Sequence, residues 1–143
     1  KFLNSIFIVN EFEHEYMFSE QIKSYFGAGY SALEGVRTVT FRERHDVFGD
    51  GSVVIKSMPG HTPGSSVLLI RLNEAGNILL SGDLYVHARG RKLKTMHRYN
   101  DKQATIDSRE KFEAMVKQED ARVIIQHEKN DFDSLPQFPD YLD

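Results

Sequence analysis

Short runs of β-branched residues and leucines, separated by glycine, proline or asparagine, recur along the chain. Runs of this length and composition predict buried strands rather than helices. The predicted strands cover residues 5–9, 36–48, 52–58, 65–72, 78–83 and 121–127. The Gly-Asp-Gly stretch predicts a hairpin between the second and third strands, and the turn that contains Asn73 predicts another between the fourth and fifth.

Two segments have the spacing of amphipathic helices. Residues 11–26 place apolar side chains at helical intervals and begin with glutamates, which the helix dipole favours at that end. Residues 101–120 show the stronger pattern, because Asp101 is suited to cap the helix and Ile106 and Phe112 keep the helical period. Both helices are predicted to cover a sheet with their apolar faces.

The segments between these elements predict loops. Residues 27–35 are rich in glycine, residues 88–100 are rich in arginine and lysine, and residues 130–143 contain two prolines. Strand pairs followed by a strand–helix–strand unit predict an α/β protein with a mixed sheet and flanking helices.

Composition narrows the class of protein. The 143 residues suffice for one domain with a buried core, and 40% hydrophobic and 27% charged residues are ordinary for a globular protein. The net charge of −3 gives no reason to expect a nucleic-acid partner, and no apolar run is long enough to span a bilayer. We expect a cytoplasmic protein without a membrane partner. Cysteine is absent, so any metal must be held by histidine and carboxylate side chains.

Three residues with metal-binding side chains follow predicted buried strands. His61 lies in the loop MPGHTPGSS, where two glycines allow a sharp turn and two prolines stiffen it. Asp83 follows the run ILLSG, and His127 follows VIIQ. Each residue also has a plain alternative: a turn histidine, a capping aspartate and a core histidine bonded to a backbone carbonyl.

The shared placement of these three residues predicts a common site. Strand ends at one edge of an α/β sheet meet in space, and ligands bind at that edge. We therefore expect His61, Asp83 and His127 to converge at one end of the fold. Histidine and carboxylate sets of this kind hold divalent metals. His14 and His45 are expected to be solvated or to cap local structure.

The stretches PGHTPGSS, LLSGDLY and VIIQH resemble the metallo-β-lactamase superfamily of hydrolases. Within it, SGDLYVHAR, IIQHE and LPQFPDYLD are most similar to the N-acyl homoserine lactonase branch. The resemblance runs from about Ile6 to the C-terminus. It implies that residues 1–143 form a single partial domain, the C-terminal part of an αββα sandwich whose N-terminal half is missing.

The resemblance also implies a two-metal site, with zinc as the expected metal. His61 matches the loop histidine of the first metal, Asp83 the carboxylate that bridges both metals, and His127 the late histidine of the second metal. A metal-bridging hydroxide would then attack the carbonyl carbon of a small-molecule lactone or ester. Tyr85 could donate a hydrogen bond to the substrate carbonyl, although a packing role suits it equally.

One feature of the superfamily is absent from this chain. The His-x-His-x-Asp-His motif, which would supply the other four ligands, does not occur in the 143 residues. We therefore expect weak or absent metal binding, and no catalysis, by this chain alone. A half sandwich would also expose an apolar sheet face, which predicts a homo-oligomer.

Two other functions stay open at this stage. The chain could be a non-catalytic, truncated module that persists as a homodimer. It could also come from a phosphodiesterase or nuclease of the same superfamily, because basic side chains cluster directly after Asp83. The cluster consists of Arg89, Arg91, Lys92, Lys94 and Arg98, with His87 and His97.

Overall fold

The strands of this protein form two sheets in the computed structural model, which describes residues 5–26 and 29–143. In the smaller sheet, β1 (Phe7–Asn10) pairs in parallel with β2 (Thr38–Phe41). The larger sheet has the order β3-β4-β5-β6-β7 and is mixed, because only β6 and β7 are parallel neighbours. Its strands are β3 (Arg44–Asp46), β4 (Val53–Ser57), β5 (Ser66–Arg71), β6 (Asn77–Leu80) and β7 (Arg122–Ile124).

Helices flank the two sheets. They are α1 (Glu11–Met17), α2 (Glu20–Phe26), α3 (Ala88–Leu93), α4 (Lys102–Gln118) and α5 (Lys129–Asp133). Helix α4 lies in the crossover that joins the parallel strands β6 and β7, as parallel neighbours require. None of the helices in the described part of the chain is both long and apolar enough to cross a membrane.

Both predicted hairpins are confirmed. Strand β3 pairs antiparallel with β4, and β5 pairs antiparallel with β6. The first turn is closed by Asp46, whose carboxylate accepts hydrogen bonds from the backbone N–H groups of Gly49 and Gly51 at 2.9 and 2.8 Å. Gly49 and Gly51 have φ values of +79° and +80°, which explains why the turn uses glycine.

The single strand predicted over residues 36–48 is wrong, because the chain changes sheets within it. The carbonyl of Arg42 accepts a hydrogen bond from Asn10 Nδ2 at 2.7 Å, which ties it to the smaller sheet. The next carbonyl, of Glu43, accepts from the backbone N–H of Ser57 at 2.8 Å in the larger sheet. Partial alternation of apolar and polar residues does not reveal such a change of partner.

The helix predicted over residues 11–26 is divided in two. Ser19 ends α1, because its hydroxyl donates to the carbonyl of Tyr16 at 2.8 Å, and it accepts from the N–H of Ile22 at 3.4 Å at the start of α2. Serine often competes with the helix backbone in this way. Residues 27 and 28 of the predicted loop lie outside the described residues.

Part of the predicted basic loop is also helical. Helix α3 ends at Leu93 and is capped by Lys94, which is left-handed with φ of 55°. The N–H of Thr95 then donates to the carbonyl of Gly90 at 3.1 Å. Alanine, arginine, lysine and leucine are good helix formers. An ion pair between Arg91 and Glu113 of α4, at 2.7 Å, adds tertiary support.

Helix α4 covers one face of the larger sheet and builds the core. Its start is capped as predicted, with Asp101 Oδ1 accepting from the N–H of Ala104 at 2.9 Å. Phe112 and Met115 pack onto the sheet face. The buried cluster comprises Val54, Met58, Val67, Leu69, Leu79, Leu84, Tyr85, Phe112, Met115 and Ile125.

The opposite face of the same sheet is less well covered. Cross-strand register places a second set of apolar side chains on that face, because directly opposed residues share a face. Several of them keep part of their surface in solvent: Val53, Ile55, Leu68, Ile70 and Leu80. Residues of the first set on these strands, such as Leu69 and Leu79, are fully buried. The sheet therefore presents a second, partly exposed apolar face.

Candidate functional site

An open cleft of about 500 Å³ lies where the smaller sheet meets the strand ends of the larger one. Its apolar wall comes from Ile8, Val9, Phe41 and Ile55. Its polar end contains His61, Asp83 and His127, together with Glu13, Thr62 and Gln126. The volume is within the range that small-molecule sites occupy.

The structure brings the three predicted residues together around Asp83. His61 Nε2 lies 3.4 Å from Asp83 Oδ2, and His127 Nε2 lies 2.9 Å from Asp83 Oδ1. Each imidazole thus faces a different oxygen of one carboxylate. The side chains are 35%, 41% and 57% exposed for His61, Asp83 and His127, so a ligand in the cleft could reach all three.

The donor types fit a divalent metal, but their arrangement does not enclose one. Imidazole nitrogen and carboxylate oxygen are the ligands that zinc accepts when thiolates are absent. However, residues 5–26 and 29–143 contain no group of three or more His, Cys, Asp or Glu side chains that could hold a metal ion. Each imidazole faces a different oxygen of the Asp83 carboxylate. The three side chains therefore could form only part of a metal site. Their role as metal ligands stays a prediction.

Helix α1 clamps the His61 loop from one side. Glu13 Oε2 accepts hydrogen bonds from Thr62 Oγ1 at 2.5 Å and from the N–H of Gly64 at 3.0 Å. The backbones are so close that a Cβ added to Gly64 would lie 2.2 Å from the nitrogen of Glu13. Gly64 is therefore required by the close approach of α1.

The start of α4 clamps the same loop from the other side. The N–H of Asp101 donates to the carbonyl of Gly60 at 2.8 Å, and Ser108 Oγ donates to the carbonyl of Pro59 at 2.7 Å. Gly60 has a φ of +145°, and a Cβ there would lie 2.8 Å from the Cα of Thr105. His61 is thus held between two helices that come from different parts of the chain.

The segment that carries Asp83 is also fixed on both sides. Gly82 has a φ of +52°, and a Cβ at this position would lie 2.6 Å from the carbonyl oxygen of Ser66. Ser81 is fully buried, and its N–H donates to the carbonyl of Ile124 on β7 at 3.0 Å. These contacts join the ends of β5, β6 and β7, which brings Asp83 beside His127.

Tyr85 lies elsewhere, and its surroundings favour packing over the substrate contact expected from the sequence. The residue is 3% exposed and is absent from the cleft wall. Its hydroxyl donates to Glu113 Oε1 at 2.9 Å, and its ring meets Phe112 edge-on at 5.7 Å. Burial, and then the hydrogen bond to Glu113, raises the pKa of Tyr85 well above its usual range. The side chain points from the Asp83 segment towards α4.

The raised pKa of Tyr85 predicts a loss of stability at alkaline pH. Above about pH 10 the unfolded chain releases this proton while the folded chain retains it. The free energy of unfolding should therefore fall by about 1.4 kcal/mol per pH unit from this residue alone. In urea unfolding, the free energy of unfolding of Tyr85→Phe should fall less steeply with pH than that of the wild-type chain. At neutral pH it should be about 1 kcal/mol lower than the wild-type value.

The control for this experiment is Tyr141→Phe, which removes an exposed hydroxyl. It should keep the wild-type dependence on pH. Equal slopes for the Tyr85→Phe and wild-type proteins would show that the buried phenol does not govern alkaline stability.

Sequence reasoning missed two residues that support the site, Glu13 and Arg109. The sequence pattern marks Glu13 only as part of the acidic start of a helix, and its partner Thr62 is 49 residues away. Arg109 lies on α4 and donates to the carbonyl of Leu84, 25 residues away. Contacts at such separations leave no local pattern in a single sequence.

The basic residues after Asp83 have divided roles. Arg91 makes a bidentate pair with Glu113, through Nε at 2.8 Å and Nη2 at 2.7 Å. That pair lowers the pKa of the Glu113 carboxyl. The remaining cations of the cluster, Arg89, Lys92, Lys94 and Arg98, are exposed. Arg91 is therefore held in an ion pair within the fold, whereas the other four cations are exposed to solvent.

Comparison with known proteins finds relatives of defined activity. The chain is 26% identical over 160 residues to N-acyl homoserine lactonase AttM of Azorhizobium caulinodans, and the match covers 100% of the chain and 57% of that protein. The chain spans about half the length of the curated relatives it matches. No protein-family model matches the chain.

Solved structures establish the fold. A structure of N-acyl homoserine lactone hydrolase, with its product bound at the catalytic metal center, matches at a TM-score of 0.82 and 22% identity, covering 98% of this chain and 54% of that one. The hydrolase AbOPH of the beta lactamase superfamily matches at 0.63 and 18% identity, covering 89% and 49%. These matches confirm the predicted fold of a mixed sheet with flanking helices, and the sequence match to AttM agrees with the resemblance to the metallo-β-lactamase hydrolases.

Proposed function

We propose that this chain is part of a metal-dependent hydrolase that opens a lactone or a related ester. The observation that carries the proposal is the position of Asp83 between His61 and His127 at the polar end of the cleft. The AttM relative and the lactone hydrolase structure support the substrate class.

The proposed roles follow from the chemistry of the three side chains. His61 and His127 would each bind a metal through Nε2, and Asp83 would offer one carboxylate oxygen towards each imidazole. A bound zinc supplies a nucleophilic hydroxide near neutral pH and polarises a carbonyl oxygen. The apolar wall of the cleft, which includes Val9 and Phe41, would exclude water from the apolar part of the substrate.

The test uses the complete gene product in which this sequence occurs. With zinc, it should open the ring of an N-acyl homoserine lactone, and Asp83→Ala should lower kcat/KM by at least about 10³-fold. His45→Ala, a histidine of β3 outside the cleft, is the matched control and should retain activity.

A phosphodiesterase is tested in parallel with a bis-aryl phosphate ester. The four exposed cations after Asp83 favour an anionic substrate, whereas the apolar cleft wall favours a lactone with an apolar group. Turnover of the phosphate ester without turnover of the lactone would contradict the proposal. So would lactone hydrolysis that is unchanged in Asp83→Ala.

We also propose that the 143-residue chain self-associates through the partly exposed apolar sheet face. Burial of apolar surface contributes about 25 cal/mol per Å², so a face that spans several strands favours a large, apolar interface. A second copy presents the same face and can cover it in a two-fold dimer. Light scattering should give a mass near twice 16.4 kDa at low micromolar concentration.

A charge on that face should prevent the association. Ile70→Lys places a cation among the apolar side chains and should give a monomer, whereas Phe48→Lys, at an exposed position in the first hairpin turn, should not. A wild-type chain that is monomeric and binds no hydrophobic dye would contradict the dimer.

A further inference from the structure

The two residues that follow Asp83 are anchored to α4 by a single arginine. Arg109 donates from Nε and Nη2 to the carbonyl oxygen of Leu84, at 3.3 and 3.1 Å. Its guanidinium carbon also lies 4.6 Å from the ring centroid of Tyr85. Leu84 and Tyr85 are each 3% exposed, whereas the side chain of Asp83 is 41% exposed. The carboxylate therefore extends into the cleft from a buried backbone.

A second contact one helical turn along α4 holds the same segment. The hydroxyl of Tyr85 donates to Glu113 Oε1 at 2.9 Å, and Arg91 fixes that carboxylate through two further hydrogen bonds. Arg109 and Glu113 are four residues apart, so they lie on one face of the helix. The segment is thus attached to α4 at two neighbouring points.

The guanidinium of Arg109 occupies an unfavourable environment. Its burial lowers the pKa of Arg109, and Nη1 is buried without a hydrogen-bond partner among the described residues. Removing a charge from water in this way costs free energy, and an apolar side chain of similar size is often as stable or more so. Stability alone therefore gives little reason for an arginine at position 109. The reason we infer is its pair of hydrogen bonds to the Leu84 carbonyl, which fix that part of the backbone.

We propose that Arg109 is a positioning residue for Asp83. Gly82 seats the start of the segment against β5, and Arg109 seats its end against α4, so the Asp83 carboxylate is set between the two imidazoles. Side chains behind metal ligands typically change metal affinity 10- to 100-fold when they are removed. For its consequence at a metal, this inference rests on the proposed function.

The test compares Arg109→Met with Arg109→Lys and with Arg71→Met. Methionine keeps most of the side-chain volume but cannot donate, whereas lysine can still donate to the Leu84 carbonyl. Arg71 makes a bidentate pair with Glu119 outside the cleft. Arg71→Met is therefore the control, because it removes a hydrogen-bonded arginine away from Asp83. Thermal unfolding establishes that each variant folds.

The first readout needs no metal. The NMR chemical shifts of the ring nitrogens of neutral His127 report the fraction of molecules in which Nε2 carries the proton. Nε2 is the nitrogen that faces Asp83. We expect Arg109→Met to lower the ratio of the Nε2–H to the Nδ1–H tautomer about fivefold. A change of this size corresponds to the loss of one typical hydrogen bond. Asp83→Ala should do the same, while Arg109→Lys and Arg71→Met should keep the wild-type ratio within about twofold.

The second readout is the visible absorption of bound Co²⁺. Arg109→Met should weaken its binding by about tenfold, and Arg71→Met should not. An unchanged tautomer ratio in a folded Arg109→Met protein would overturn the positioning role. If that variant does not fold, Glu113→Ala should shift the ratio in the same direction, and no shift there would overturn it equally. Absence of Co²⁺ binding by the complete gene product would instead contradict the proposed function, because the tautomer ratio does not depend on metal.

Discussion

The 143-residue chain alone is expected to show no appreciable zinc-dependent lactone hydrolysis. Under the proposed function, His61, Asp83 and His127 would supply three metal ligands, and the four that the resemblance assigns to a His-x-His-x-Asp-His motif are not in these 143 residues. The described residues assemble no group of three or more side chains that could hold a metal. Loss of ligands that act together lowers the rate by orders of magnitude, here by at least about 10³-fold relative to an intact site.

This expectation is tested by incubating the purified chain with zinc and an N-acyl homoserine lactone. Mass spectrometry distinguishes the ring-opened acid from the lactone, and a zinc-only sample corrects for spontaneous hydrolysis. Ring opening that needs both the chain and zinc, and that Asp83→Ala abolishes, would show that the three ligands suffice.

Substitution of Gly64 by alanine should cause the largest loss of stability among the site substitutions. A Cβ at Gly64 would lie 2.2 Å from the backbone nitrogen of Glu13 and 2.6 Å from its Cα, so α1 must move away. That movement also breaks the hydrogen bonds from Thr62 and Gly64 to Glu13. Overpacking against backbone of this kind costs about 3 kcal/mol.

Gly90→Ala is the matched control for this substitution. Gly90 lies within α3, its nearest neighbour to an added Cβ is Thr95 Oγ1 at 3.5 Å, and alanine is the better helix former. Urea unfolding should show a loss of about 3 kcal/mol for Gly64→Ala and a gain of up to about 1 kcal/mol for Gly90→Ala. Similar unfolding midpoints for Gly64→Ala and the wild type would mean that α1 does not clamp the loop.

The shared location of His61, Asp83 and His127 could be predicted because it depends on local pattern. Each residue follows an apolar run, and the rules for α/β sheets bring such strand ends together. The glycines beside His61 also marked a constrained loop. The helices that constrain it, α1 and α4, could not be identified, since the contacts of Glu13 and Ser108 with that loop are between residues about fifty positions apart.

Position in the sequence did not predict the direction of a side chain or the sheet that a strand joins. Tyr85 is two residues from Asp83, yet the tight turn after Gly82 directs it into the core, where Glu113 takes its hydrogen bond. The stretch 36–48 alternates in part like a single strand, but its carbonyls bond to two different sheets. In both places tertiary partners, rather than local preference, decide the direction of a side chain and the pairing of a strand.

The most direct test of the central claim is a calorimetric Zn²⁺ titration of the metal-free 143-residue chain and its single-residue variants. If His61, Asp83 and His127 are metal ligands of one partial site, the wild-type chain binds zinc weakly, and alanine at any one of the three residues abolishes binding. His45→Ala leaves binding unchanged, because His45 lies outside the cleft. Zinc binding that persists in each of the three alanine variants, or that is lost in His45→Ala instead, would contradict the account.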